Sequence, residues 1–275
     1  MHQNTLCPLI LGLHRIGYPP KGAAIRGLFT SPKLLRFELA FLKSLGYRFS
    51  TLTEAFLFPQ PKTAVITFDD GYRDNLIAAE SILNEFQAPA TVFVITSDIG
   101  KKSVVWEEAG EKLPAAMFSW DELKKLKALG WEIGSHSHQH VHHNRLNEKQ
   151  QRLLIADSIE VIAKNIGERP KTFAYPYGAY DLTTKRIIRE LGIHYAVTTR
   201  PPAGALQEIN NLDKLELPRI AFGGRHLLHY LRAINKTRAA IKPGNTIFSS
   251  FSVGTRAIFP NFGNSPFPAR DEIVP

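Results

Sequence analysis

Short apolar runs alternate with amphipathic segments along most of this 275-residue chain. Runs of this kind, rich in β-branched and aliphatic residues, predict buried strands. The runs are Leu9–Leu13, Ala64–Phe68, Thr91–Ile95, Trp131–Ile133, Thr172–Tyr175, Ile193–Thr198 and Leu217–Ile220. Repeated units of strand then helix favour an α/β fold with a parallel sheet and crossover helices. About seven units fit a closed or nearly closed (β/α) barrel better than a doubly wound sheet, an alternative that the pattern alone leaves open.

Capping residues indicate where the intervening helices begin and end. Ser31 followed by Pro32 predicts the start of a helix that Gly46 ends. Ser119 and Glu122 have the spacing of a capping box. Further helices are predicted over Asn75–Phe86, Asn147–Ile166, Asp181–Leu191 and Arg225–Ile241.

The composition changes after residue 242. From Pro243 onward, Pro and Gly recur, charges become rare, and phenylalanines follow no clear period. So many aromatic residues argue against full disorder. We therefore expect one α/β domain over residues 1–242 and an irregular C-terminal tail over residues 243–275.

The chain is basic, with a formal net charge of +9. Its Lys and Arg residues are spread along predicted helices and form no basic block interleaved with aromatics. This distribution favours a solvated surface, so we expect no nucleic-acid partner. Cys7 is the only cysteine, which excludes an intramolecular disulfide.

No stretch approaches the roughly 18–20 consecutive apolar residues of a membrane span. Met1–Thr5 lacks the basic residues of a signal peptide, and the run Leu6–Leu13 is short and leads into His14 instead of a small-residue cleavage site. We therefore expect no membrane span and a cytoplasmic location. A place in the cell envelope stays open if a signal segment has been removed.

Candidate catalytic residues follow two of the predicted strands. Asp69 and Asp70 come directly after Ala64–Phe68, and His136 follows Trp131–Ile133. In either α/β architecture, the carboxyl ends of parallel strands carry the active residues. Two adjacent carboxylates could also form only an Asx-capped turn, but the histidines change that balance.

Five histidines occur close together in the second segment. His136 and His140 are four residues apart, so one helical turn would bring both rings to one face. Together with Asp70 they offer ligands that suit a divalent metal with an open coordination position. We expect His138 to point elsewhere, and His142 and His143 to be bystanders.

These residues resemble the motifs of a known family. Thr67–Gly71 reads T-F-D-D-G, and His136–His140 reads H-S-H-Q-H. Both are similar to the first two motifs of polysaccharide deacetylases, the carbohydrate esterases of the NodB-homology type, and the resemblance extends from about Leu9 to Ile220. It implies a distorted (β/α) barrel of about seven strands.

The resemblance also implies a reaction. Asp70, His136 and His140 would hold the metal, which we expect to be Zn²⁺, with Co²⁺, Mn²⁺ or Ni²⁺ as alternatives. Asp69 would be the catalytic base, and the backbone N–H of Tyr177 would help to bind the oxyanion. The substrate would be an N-acetylhexosamine unit of a polysaccharide or glycoconjugate, from which the enzyme removes the N-acetyl group.

The third motif departs from the family pattern. Many relatives carry an arginine there that orients the base, but Ala174 occupies that position in the stretch Phe173–Gly178. Either another cation serves or Asp69 has a different environment. Arg200 and Arg219 are candidates for the cation because both lie near the ends of predicted strands.

The general acid also needs a new assignment. Many relatives use a histidine near the C-terminal end of the domain, where this chain offers His226 and His229. A circularly permuted subgroup, which includes poly-N-acetylglucosamine deacetylases, has this histidine on the first strand. The run Leu9–Ile16 resembles that strand, so we predict that His14 is the acid. The alternative is a histidine that only ends a strand.

Two other functions remain open at this stage. One is an amidase that acts on a non-sugar amide with the same metal and base. The other is a catalytically silent carbohydrate-binding protein, which Ala174 suggests. A sugar site could be lined by aromatic residues, and the candidates are Tyr175, Tyr177, Trp106 and Trp120.

Overall fold

The computed structural model describes residues 7–105, 114–202 and 212–221. The predicted helix Arg225–Ile241, the predicted boundary at residue 242 and the tail lie outside these residues, as do Trp106, His226 and His229. The described strands are β1 (Leu9–Leu13), β2 (Arg15–Ile16), β3 (Phe29–Thr30), β4 (Arg48–Ser50), β5 (Thr63–Phe68), β6 (Ala90–Val94), β7 (Glu132–Ser135), β8 (Thr172–Ala174), β9 (Tyr195–Val197) and β10 (Ile220–Ala221).

The helices lie between these strands. They are α1 (Pro32–Ser44), α2 (Leu52–Leu57), α3 (Glu80–Glu85), α4 (Trp120–Ala128), α5 (Glu148–Ile166) and α6 (Leu182–Glu190). Of these, α1, α4, α5 and α6 are close to the predicted limits. Ser31 caps α1, and Ser119 and Glu122 form the predicted capping box of α4. Within the described part of the chain, no helix has both the length and the apolar composition needed to cross a membrane.

A parallel sheet carries the fold, with strands in the order β10-β1-β5-β6-β7-β8-β9. The segment leading into β10 connects the two edges, because Leu217 bridges Val197 of β9 while Ile220 pairs with Leu11 of β1. The sheet therefore curls into the predicted α/β barrel and does not open into a doubly wound sheet.

The barrel interior and its outer face have separate cores. Inside, side chains of alternate strand residues pack together, among them Ile10, Val65, Phe93 and Ala174. Outside, helices such as α1 bury an apolar stripe against the sheet. This packing fixes the strand ends on which the site depends.

The N-terminal end of the barrel is closed by two elements that the apolar pattern did not predict, β4 and α2. β4 pairs with the first half of β5, and β6 pairs with the second half. In α2, Thr53 donates to Glu132 through its N–H (3.0 Å) and its hydroxyl (2.5 Å), and Phe56 packs on Tyr195. Both elements are short and partly polar, so their periodicity is weak.

The predicted helix Asn75–Phe86 differs in its first turn. Asn75–Ala79 is π-helical, and the regular helix α3 begins at Glu80. The preceding Asp74 accepts hydrogen bonds from Arg15 Nε (2.8 Å) and from the backbone N–H of Ile16 (3.1 Å). Single π-helical turns often occur beside functional sites, and this one follows Asp69 and Asp70 closely.

Candidate active site

The predicted site residues lie together at the C-terminal ends of the parallel strands. Asp69 and Asp70 follow β5, His136 follows β7, His14 follows β1, and Tyr177 follows β8. The register of β1 and β5 explains why His14 lies close to Asp69, because Leu13 lies opposite Phe68. The sheet thus assembles groups that are far apart in the sequence.

Asp70, His136 and His140 form a compact group of side chains that could hold a metal ion. One ligand atom from each lies within 4.8 Å of the others. Oδ1 of Asp70 is 3.3 Å from Nε2 of His136 and 3.5 Å from Nε2 of His140. Asp70 has a left-handed backbone (φ 73°) and precedes Gly71, so the chain turns immediately after the strand.

The chemistry of this group fits a divalent cation. Nδ1 of His136 is 2.7 Å from the carbonyl oxygen of Ala174, so it donates there and leaves the lone pair of Nε2 directed at Asp70. Burial lowers the pKa of His140 to about 4, which keeps its ring neutral. Among the described residues, no hydrogen-bond donor satisfies Oδ1 of Asp70, although that oxygen is buried. Two imidazole nitrogens and one carboxylate oxygen could therefore hold a metal ion.

Asp69 is held by an arginine that lies 150 residues further along the sequence. Arg219 Nη1 donates to Oδ1 of Asp69 and Nη2 donates to Oδ2, and both donor–acceptor distances are 2.6 Å. The guanidinium also donates to the carbonyl of Thr198 (2.9 Å) and the hydroxyl of Thr67 (3.1 Å). Burial by itself raises the pKa of Asp69, but the charge and hydrogen bonds of Arg219 lower it below its usual value.

Arg219 is therefore the cation beside Asp69, in place of a third-motif arginine. Ala174 itself is buried in the barrel interior, and the guanidinium of Arg200 lies over the ring of Tyr180. Gly12 of β1 lies beside this arginine, and a Cβ at this position would be 3.6 Å from the Arg219 side chain, an ordinary van der Waals distance.

His14 lies beside the same carboxylate. Its Nε2 is 4.0 Å from Oδ2 of Asp69, and its side chain is 27% exposed, so a ligand can reach it. The backbone N–H of Asp69 donates to the carbonyl of Leu13 (2.9 Å), which ties the two strand ends together. The hydrogen bonds from Arg15 and Ile16 to Asp74 hold the chain on the other side of His14.

Tyr177 lies next to the metal-binding histidines. Its backbone is left-handed (φ 57°), and its ring centre is 4.2 Å from that of His140 and 4.1 Å from that of His142. A Cβ at the following Gly178 would collide with the side chain of Thr199. The turn is therefore tightly constrained beside His140.

The remaining histidines of the cluster have different environments. Nδ1 of His138 contacts the hydroxyl of Thr96 (2.9 Å), away from the metal group as expected. His142 stacks on Tyr177. His143 is fully buried, and its Nε2 is 3.0 Å from Oγ of Ser137. His143 is not in the group formed by Asp70, His136 and His140; its buried, hydrogen-bonded ring is instead part of the loop that carries the two histidines of that group.

The predicted sugar-lining aromatics divide into separate groups. Tyr175 is 1% exposed and donates its hydroxyl to the carbonyl of Leu215, so its prediction as a sugar contact is wrong. Trp120 packs against the outer core. Tyr177 is the candidate that the structure brings to the site.

The site is thus a parallel α/β barrel that carries an Asp-His-His group and an arginine-bound carboxylate at the C-terminal ends of its strands. Residues 59–196 match the family described as polysaccharide deacetylase. This segment is about half of the chain, and the chain belongs to that family. It is therefore an enzyme of a family of hydrolases that act on amide bonds.

Several known proteins are similar to the chain. It is 31% identical over 174 residues to YxkH of Bacillus subtilis (strain 168), covering 61% of this chain but only 58% of YxkH. It is 28% identical over 224 residues to poly-beta-1,6-N-acetyl-D-glucosamine N-deacetylase of Staphylococcus aureus (strain MRSA252), covering 76% of this chain and 72% of that protein.

Solved structures share the same architecture. The deacetylase PplD of Streptococcus pyogenes, solved in complex with acetate, matches with a TM-score of 0.69 and 25% identity, over 81% of this chain and 97% of PplD. IcaB from Ammonifex degensii matches with a TM-score of 0.67 over 83% of this chain and 96% of IcaB. At 23% identity, this second likeness concerns the fold.

Proposed function

We propose that this protein is a metal-dependent deacetylase that removes N-acetyl groups from N-acetylhexosamine units of a polysaccharide or glycoconjugate. The observation that carries the proposal is the direct adjacency of the Asp70, His136 and His140 group to a second carboxylate, Asp69, held by Arg219. The similarity to a poly-β-1,6-N-acetyl-D-glucosamine N-deacetylase supports a glycan with N-acetylglucosamine units as the substrate.

We assign the metal as Zn²⁺. Two imidazole nitrogens and one carboxylate oxygen form a set of borderline ligands, and three protein ligands with an open position are typical of catalytic zinc sites. Co²⁺, Mn²⁺ and Ni²⁺ accept similar ligands and are the alternatives. A divalent ion bound there supplies Lewis-acid chemistry, which lowers the pKa of a coordinated water and polarises a carbonyl.

Asp69 acts as the general base. Arg219 keeps it ionised and occupies one lone pair on each carboxylate oxygen, so each oxygen retains capacity to accept a proton. The double hydrogen bond also fixes the plane of the carboxylate. The base therefore has one orientation toward the attacking water, which avoids a reorganisation cost during the reaction.

His14 acts as the general acid. Amide cleavage expels an amine, which leaves readily only after its nitrogen is protonated. His14 Nε2 lies 4.0 Å from Asp69 and is open to solvent, so a scissile nitrogen above the carboxylate is within its reach. If His14 only ends a strand, its replacement should change amide and ester hydrolysis to the same extent.

The backbone N–H of Tyr177 helps to bind the oxyanion. The left-handed turn holds this residue beside His140, where a substrate carbonyl would approach. A preorganised donor of this kind contributes about 3–4 kcal/mol to transition-state stabilisation. Since the donor belongs to the backbone, side-chain replacements at Tyr177 test the aromatic ring and not the donor.

Acetate release from N-acetylated oligosaccharides tests the proposal. The metal-free protein is compared with the same protein after addition of each divalent ion, and Asp70→Ala serves as the ligand-deficient variant. We expect acetate only with metal and only from the unaltered protein. Release from non-sugar acetamides alone would instead support the amidase alternative. Glycan binding without acetate release would support the silent alternative, which Arg219 disfavours because it supplies the guanidinium missing at Ala174.

A further inference from the structure

The loop between the two metal-binding histidines contains a residue in an unfavourable conformation. Ser137, directly after His136, has φ 68°, a left-handed value that costs free energy for any residue except glycine. Gly134 just before the loop is also constrained, since a Cβ there would lie 2.6 Å from Phe93 and from Thr172. The loop therefore has little freedom on its N-terminal side, and Ser137 must make the turn.

Buried hydrogen bonds hold Ser137 in this conformation. Its N–H donates to Oγ of Ser135 (3.1 Å), which is 2.7 Å from Oγ of Ser158 on α5. Its carbonyl accepts from the N–H of Thr96 (3.2 Å). Its hydroxyl contacts Nε2 of His143 at 3.0 Å. Each polar group of Ser137 thus has a partner, and Thr96 ties the loop to the segment that follows β6.

His143 has the protonation state that this contact requires. Burial lowers its pKa to about 4, so the ring is neutral and carries one N–H. Among the described residues, Nδ1 of His143 is buried and has no hydrogen-bond partner. A buried N–H without an acceptor is rarer than a buried lone pair without a donor, so the proton belongs on Nε2, which donates to Ser137.

We propose that His143 is a positioning residue for the metal site, acting through Ser137. The hydrogen bond from His143 holds Ser137 left-handed and thereby sets how far apart His136 and His140 can lie. This inference rests on the proposed function, because it assigns a role toward the metal. His143 is not in the metal-binding group, and its effect passes through the backbone of Ser137.

Metal affinity measured against a competing chelator tests the inference. His143→Leu removes the donor but keeps an apolar side chain of similar size beside Phe173, and we expect at least a tenfold higher Kd for Zn²⁺. Ser137→Ala removes the acceptor and keeps the strained φ, so it should raise the Kd similarly. The double variant should be no worse than either single variant. His143→Gln, which retains an N–H donor, should recover much of the affinity.

Glycine at position 137 gives the decisive comparison. Glycine adopts a left-handed φ without strain, so in the Ser137→Gly background the His143→Leu substitution should change the Kd less than about threefold. His194→Leu is the matched control, since His194 is exposed at the opposite end of the barrel and should leave the Kd unchanged. Thermal unfolding in chelator should be similar for all variants. If His143→Leu unfolds, the Kd values of Ser137→Ala and Ser137→Gly are compared instead, and Ser137→Ala, which keeps the strained φ without the hydrogen bond, should bind Zn²⁺ more weakly.

The outcomes separate this inference from the function that it rests on. Unaltered protein that binds no divalent ion contradicts the proposed function and the inference with it. Unaltered protein that binds Zn²⁺ while His143→Leu binds equally tightly contradicts the inference alone. An equal loss of affinity from His143→Leu in the native and the Ser137→Gly backgrounds also contradicts it, because the effect then does not pass through Ser137.

Discussion

Arg219 and Asp69 lie 150 residues apart in the sequence, and the guanidinium of one donates two 2.6 Å hydrogen bonds to the carboxylate of the other. Both side chains are almost fully buried. An ion pair in such surroundings is sensitive to the loss of either partner, because the remaining charge has no solvent to stabilise it. The pair therefore links the stability of the barrel to the orientation of the proposed base.

Arg219→Met should weaken both folding and catalysis. It leaves the buried Asp69 without a counter-charge, so we expect a loss of about 3–5 kcal/mol in the free energy of unfolding, measured by urea denaturation. Arg219→Lys keeps the charge but not the double hydrogen bond, and should lower kcat while retaining more stability. Arg200→Met is the matched control, since Arg200 lies over Tyr180, and a similar loss from that variant would argue against a specific role for Arg219.

Asp69→Asn should separate proton transfer from metal binding. The substitution keeps the shape of the side chain and leaves Asp70, His136 and His140 intact. We expect full metal content and a fall in turnover of roughly 10²–10⁴-fold, the usual range for loss of a general base. Metal content by atomic absorption and acetate release measure the two effects. Near-normal turnover would mean that another group is the base.

His14→Ala should affect substrates according to their leaving group. An amine needs protonation, whereas an activated phenolate leaves without it, so acetamide hydrolysis should fall far more than hydrolysis of an aryl acetate ester. Metal content should not change, because His14 is not in the metal-binding group. Wild-type rates on both substrates would make His14 a structural residue, and His226 and His229 would become the next acids to test.

Asp74→Ala should reproduce part of the His14 defect. Asp74 binds Arg15 and the N–H of Ile16, and its loss frees the chain immediately after His14. A displaced acid should lower acetamide turnover about ten- to hundredfold and spare the activated ester. Asp74→Asn keeps an acceptor for Ile16 and should lose less.

The control for Asp74 is its neighbour Arg73. Arg73 forms an ion pair with Glu122 on α4 and does not contact the His14 strand. Arg73→Ala should therefore leave the ratio of amide to ester turnover unchanged. An equal change in that ratio for both variants would point to a general disturbance of this loop.

The strands and most helices were predictable because their signals are local. Buried strands such as β5 are continuous apolar runs, and helices such as α5 begin at a capping residue and end at a glycine. β4 and α2 escaped prediction because their stability comes from contacts with β5, Thr91 and Glu132, which are distant in the sequence. The predicted domain boundary at residue 242 and the cytoplasmic location stay predictions.

The sequence by itself determined the metal group and the proposed base, since Asp69, Asp70, His136 and His140 occur in short motifs directly after apolar runs, and parallel strands bring such ends together. Only the tertiary structure decided which arginine binds Asp69, because Arg200 and Arg219 both lie near strand ends in the sequence. In the folded barrel, the Arg219 side chain reaches Asp69, whereas the Arg200 side chain lies over Tyr180. It also decided that Tyr175 is a core residue and that His143 supports Ser137. Burial and hydrogen-bond partners depend on how distant segments pack, and local sequence patterns do not contain that information.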